Sequence, residues 1–154
     1  MLRVSKLTDY ATVILSFMAK DASDVHAAIE IASATGIALP TVSKILKLLV
    51  HQNVLISTRG AKGGYALASS PDKITVARVI SALEGPIALT ECSISHEGCE
   101  QASGCGIRGN WGLINRAIHN ALESVTLADM IQPAMAPAEI LIPVASLYAK
   151  EKFV

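Results

Sequence analysis

The chain has no net charge, no apolar run long enough to cross a bilayer and no even set of cysteines. Thirteen Lys and Arg balance thirteen Asp and Glu in 154 residues. That balance is unpromising for a nucleic-acid partner, because such domains are usually basic. The longest apolar stretches, residues 11–19 and 140–149, are each about half of the ~20 residues a spanning helix needs. Three cysteines cannot close a complete disulfide framework. Also missing are a C-x-x-C beside a βαβ pattern, a phosphate-binding glycine loop of the right length and a paired acid and base. An enzyme, most simply a small thiol oxidoreductase, therefore ranks behind a binding function.

What is present suits a folded domain. Hydrophobic residues make up 51% of the chain and charged ones 17%, the opposite of a disordered composition. The length suits one domain with an appendage, large enough to bury a core without disulfides. The N-terminus loosely imitates a signal peptide, with Arg3 and Lys6 ahead of apolar residues 11–19. Asp9 precedes that stretch, however, and Lys20-Asp21 follows it where small residues would be needed. The segment reads as a buried helix and the protein as cytoplasmic.

The zero charge divides into two unlike halves. Residues 1–80 hold nine basic and five acidic side chains, a net of +4. Residues 81–154 hold four basic and eight acidic, a net of −4.

Four parts follow from the pattern. Residues 1–85 read as a winged helix-turn-helix domain. Within it, residues 6–20 have helical spacing at Tyr10, Val13, Ile14, Phe17 and Met18, with Thr8 or Asp9 able to cap the start. A short helix over 26–34 ends at the cap signal Thr35-Gly36. In IALPTVSKILKLLVHQN, Pro40 suits a first helical turn, and Val42, Ile45, Leu46, Leu48 and Leu49 form an apolar face. Ser43, Lys44, Lys47 and His51 fall mainly on the other side. Two helices joined by a Gly-containing turn, the second one basic, form a helix-turn-helix pattern. The period then changes: VLIST and YALA flank RGAKGG and read as a β-hairpin wing. A helix over 75–84 closes at Gly85-Pro86.

Residues 86–109 form a Gly-rich loop that carries all three cysteines. Residues 110–131 read as a long helix with a narrow seam of Trp111, Ile114, Ile118, Ala121 or Leu122, and Val125. A second copy is the natural partner for that seam, which makes the expected assembly a homodimer reading two half-sites of double-stranded DNA. Residues 132–154 contain Pro133, Pro137 and Pro143, which forbid a long helix; no function is assigned to this tail. The fold class is mainly α with a small β-hairpin.

Recognition helices present their N-terminal and central side chains to the major groove. Those are Thr41, Ser43, Lys44 and Lys47 here. The wing offers Arg59 and Lys62 on a glycine-rich tip, and Arg3 and Lys6 can reach phosphates from ahead of the first helix. Basic residues on a helix are as readily a solvated face, and winged helices also bind proteins, so spacing alone leaves both readings open.

Cys92, Cys99 and Cys105 lie within 14 residues, separated by six and five. That spacing is neither a zinc knuckle nor a usual ferredoxin pattern. Three thiols in one Gly-rich loop suit an iron–sulfur cluster, zinc or a direct redox role. Unrelated thiols are the bland alternative.

Taken together, SKLTDYA, LPTVSKILKLLV, RGAKGGYAL and a three-cysteine loop before a long helix resemble the Rrf2 family of winged-helix transcription regulators, over roughly residues 1–131. LEGPIALTEC, the two further cysteines, IRGNW and SVTLADM look like its IscR-like branch, which regulates the SUF system of iron–sulfur cluster assembly. The resemblance implies repression, a [2Fe–2S] cluster on Cys92, Cys99 and Cys105, and Arg59 in the minor groove. It also shows a departure. That branch commonly has a histidine three residues after the third cysteine, where this chain has Arg108, whose guanidinium cannot ligate iron. The fourth ligand stays open. Asp9 matches the position from which the nitric-oxide-sensing branch supplies a carboxylate across the dimer; His96 inside the loop comes next. The alternative function is a winged-helix regulator whose cysteines bind zinc or sense redox state or nitric oxide directly.

Overall fold

The computed structural model describes residues 3–60, 63–94 and 104–133. Helix α1 spans Lys6–Lys20 and packs Ala11, Ile14, Leu15 and Met18, each 1% exposed or less, into the core. The apolar stripe is centred one step away from the expected one, so Val13 lies at its edge and stays exposed. Ser5, rather than Thr8 or Asp9, caps α1: its hydroxyl accepts the Thr8 amide at 3.2 Å.

Helix α2 spans Ala28–Thr35 and buries only Ile31. Gly36 ends it in the left-handed region (φ 70°), its amide returning to the Ala32 carbonyl; that conformation is why a glycine stands there. Helix α3 spans Leu39–His51 with Pro40 in its first turn. Val42, Ile45, Leu46 and Leu49 are all fully buried. These are four of the five apolar positions expected from spacing; the fifth, Leu48, is half-buried at the edge of that face.

Strands β1 (Leu55–Thr58) and β2 (Gly64–Leu67) pair antiparallel, Leu55 opposite Leu67 and Thr58 opposite Gly64. The hairpin is docked through His26, whose amide donates to the Tyr65 carbonyl at 2.8 Å and whose carbonyl accepts the Tyr65 amide at 2.9 Å. A Cβ at Gly64 would come within 2.6 Å of the His26 carbonyl oxygen, and one at Gly63 would collide with the Thr58 carbonyl oxygen. The paired glycines are thus needed for close approach at the wing's root.

Helix α4 spans Val76–Glu84, capped by Thr75 and stopped at Gly85 (φ 86°). Helix α5 spans Arg108–Glu123 and α6 spans Leu127–Met130. The expected single helix over 110–131 is therefore broken. Thr126 and Asp129 form a capping box, the Thr126 hydroxyl accepting the Asp129 amide and Asp129 reaching back to the Thr126 amide at 2.8 Å, which starts a new helix. The new direction is fixed by backbone pairing: the Val76 amide donates to the Val125 carbonyl at 2.9 Å and the Leu127 amide to the Ile74 carbonyl at 2.8 Å. Leu127, 3% exposed, joins the core made by α1, α3 and the hairpin. Residues after α5 thus belong to the helix-turn-helix core, not to a continuous seam.

Candidate nucleic-acid interface and cysteine segment

The core fixes what α3 can present. With Val42, Ile45, Leu46 and Leu49 buried, the solvent-facing stripe is Pro40, Lys44, Lys47 and His51, at helical spacing of four, three and four. Lys44 and Lys47 are exposed as expected, while Thr41 and Ser43 are half-buried on its flanks. His51, absent from the expected DNA-reading set, stands on the same exposed stripe one heptad after Lys44. The sequence signal for it was that seven-residue spacing. No side chain caps the N-terminus of α3; Pro40 brings no amide hydrogen there, and the Thr41 amide turns back to the Ala38 carbonyl at 2.9 Å.

The wing places Arg59 immediately after β1, exposed, ahead of Gly60 (φ 118°). Lys62 lies outside the described residues. Of the other basic residues, Lys6 sits 5.4 Å over the Tyr10 ring, and Arg3 is exposed ahead of α1. Arg78 is half-buried and already engaged: its Nη2 donates to the Asn53 carbonyl at 2.8 Å and tightens the turn where Asn53 adopts φ 55°.

The cysteine segment is tied down at its near end. Gly85 leads from α4 into 86–90, where Asn115 of α5 grips the backbone twice. Its Oδ1 accepts the Leu89 amide and its Nδ2 donates to the Ile87 carbonyl, both at 3.1 Å. A short 3-10 turn over Glu91–Ser93 follows. It contains the backbone of Cys92, whose side chain is not among those described. Cys105 is half-buried just ahead of α5. His96, Glu97, Cys99 and Glu100 lie outside the described residues, as does the Arg108 side chain. Around Gly104, Gly106 and Gly109 the described atoms leave open space. Among the described residues no three His, Cys, Asp or Glu side chains gather as a metal site. The donor set that chemistry offers is three thiols, which fits an iron–sulfur cluster or zinc.

Asp9 is exposed on α1 and free of the capping role, since Ser5 has it. It borders a groove of about 470 Å³ with Val13, Phe17, Lys20 and Met130. Glu84 was not anticipated as a positioning group. Its carboxylate accepts the Thr8 hydroxyl and the Ser5 amide, and these bonds hold it below the usual carboxylate range.

Helix α5 has no buried side chain among those described. Trp111, Ile118, Leu122 and Val125 are half-buried and Ile114 is 45% exposed. No helix among the described residues is long and apolar enough to cross a membrane.

Residues 4–133 match the Rrf2 family model, described as an iron-dependent transcriptional regulator. The protein rrf2 of Nitratidesulfovibrio vulgaris is 31% identical over 86% of this chain and 89% of that one. Among solved structures, CymR, the global cysteine regulator of B. subtilis, is 32% identical with a TM-score of 0.67, over 85% of this chain and 97% of its own. IscR of T. potens is 26% identical with a TM-score of 0.64, over 88% and 94%.

Proposed function

The chain belongs to the Rrf2 family of DNA-binding transcriptional regulators, which are not enzymes, and from that premise we propose that it represses iron–sulfur cluster assembly genes as a dimer that senses through a [2Fe–2S] cluster. The observation that carries this is the joining, in one chain, of an exposed lysine stripe on α3 to a segment bearing three cysteines.

In this reading residues 1–85 read DNA. Lys44 and Lys47 enter the major groove with Thr41 and Ser43 beside them. Arg59, with Lys62, follows the wing into the minor groove, whose negative potential favours a guanidinium. Arg3 and Lys6 hold phosphates and set register without carrying sequence information. Residues 86–109 form the sensor: Cys92, Cys99 and Cys105 hold the cluster through thiolates, with the partner subunit's Asp9 as fourth ligand and His96 as the alternative. A bound cluster supplies a redox-labile centre, and a non-thiolate ligand makes one of its bonds weaker. Residues 110–123 pair the two copies through the seam that each leaves uncovered, so their placement sets the distance between recognition helices. Residues 132–154 keep no assigned role. The acidic half stays off the phosphate backbone while the basic half binds.

The likeness to CymR favours a second reading, in which the same three thiols bind zinc or are oxidised directly. An absorbance spectrum with iron and sulfide analysis separates the two.

The wing assignment is testable by itself. Arg59→Ala should weaken operator binding about ten-fold in an anisotropy titration without changing the melting temperature. Affinity should also fall steeply with salt, because each phosphate contact releases counterions. Unchanged affinity at physiological salt contradicts a role for Arg59.

A further inference from the structure

A capping box normally satisfies the amide of the N-cap residue with a Glu or Gln three positions into the helix. In α1 the N-cap is Ser5 and the third helical residue is Thr8, which has no carboxylate. Glu84 supplies it from the end of α4, 79 residues along the chain. Its Oε1 accepts the Ser5 amide at 2.9 Å and the Thr8 hydroxyl as well. Thr8 is 1% exposed, so a hydroxyl deprived of this acceptor is left with the Ser5 hydroxyl at 3.2 Å and little water.

The position of this clasp is what gives it consequence. Gly85 follows directly and turns the chain into the segment leading to Cys92. That segment is gripped at its near end, between Gly85 and Cys92, by Asn115 at Ile87 and Leu89. A displacement that begins at Cys92 therefore meets the Asn115 grip first and reaches Glu84, the last residue of α4 and bonded to the cap of α1, through residues 85–89. On the α1 side, Lys6 is next to Ser5, and Arg3 lies two residues before it.

We propose that Glu84 is the positioning residue that carries the state of the cysteine segment to the DNA-facing N-terminal arm of α1. The proposal rests on the sensing role given to that segment above. It concerns how the signal travels, not which group is bound. Coupling of this kind is a difference in free energy between states that both sites bias, and a bond joining the exit of α4 to the cap of α1 biases both.

The test compares wild type, Glu84→Gln, Glu84→Ala and Thr8→Val, each as the full chain under anaerobic conditions. Operator affinity is measured on the cluster-loaded and apo forms, with iron and sulfide content. Wild type should show a ratio between the two forms of at least about five-fold. Glu84→Gln keeps an acceptor and should keep most of that ratio. Glu84→Ala, and Thr8→Val should the alanine variant not fold, should bring the ratio to within about two-fold of unity at unchanged iron and sulfide. In the apo protein, hydrogen exchange at the Ser5 amide should rise about ten-fold in Glu84→Ala, since its acceptor is gone, while the α3 amides keep their protection. A wild-type ratio persisting in Glu84→Ala or Thr8→Val overturns the proposal. So does an unchanged Ser5 amide, or loss of cluster loading, which would make Glu84 a determinant of the site itself. A ratio of unity in wild type overturns the sensing role, and the proposal with it.

Discussion

Replacing Cys105 with Ser should give an anaerobically purified protein without visible absorbance, while the wild type is coloured. A serine hydroxyl does not ionise near neutral pH and is a poor ligand for the soft iron of a cluster. With two of three thiolates left, the loss should be near complete. Cys105 is the most informative of the three cysteines, because it sits half-buried just before the first turn of α5. The substitution changes one atom there, so circular dichroism should be unaltered. Cys92→Ala and Cys99→Ala should behave alike. Retained colour in Cys105→Ser removes it from the ligand set, and stoichiometric zinc without sulfide moves the chain to the second reading.

The second large effect lies on α5. Ile114 is 45% exposed in a single chain and central to the seam of Trp111, Ile118 and Leu122. Ile114→Glu leaves the fold of one chain alone, because that side chain meets solvent and Glu is a good helix former. In a dimer it buries an unpaired carboxylate in an apolar interface. The variant should run as a monomer in analytical ultracentrifugation. Its operator affinity should fall by about 10²–10⁴, the gain that comes from linking two half-site contacts. A variant that remains dimeric places the interface elsewhere.

Much of this was legible in the residues. Core-facing positions of α3 followed from spacing because four apolar residues at i, i+3, i+4 and i+7 leave little choice of face. The hairpin followed from a change of period around a glycine-rich turn. The α5–α6 break was harder, since apolar residues continue at helical spacing through Leu127 and Ile131. Only Thr126 and Asp129, three apart, marked a new start, and that short signal was outweighed by the periodicity. The cap of α1 was misplaced for a different reason. Ser5, Thr8 and Asp9 are all competent caps, and the choice is made by Glu84, which no local window contains. The paired glycines of the wing are similar: the His26 carbonyl that requires Gly64 lies 38 residues earlier. Cysteine spacing suggests a site but carries no geometry, since ligands can come from residues far apart in the chain.

The charge division acquires a structural form. Arg78 donates to the Asn53 carbonyl, so the surface proposed to meet DNA is narrower than the count of basic residues. In that proposal it is the α3 stripe, the wing and the arm before α1.

The most direct test of the central claim is one anaerobic preparation carried through two steps. Iron and acid-labile sulfide are measured first, and operator affinity is then titrated before and after removal of the cluster. Equal iron and sulfide at one [2Fe–2S] per chain are expected, with an affinity that changes at least about five-fold on removal. Sulfide-free protein, or an affinity indifferent to the cluster, would contradict that claim.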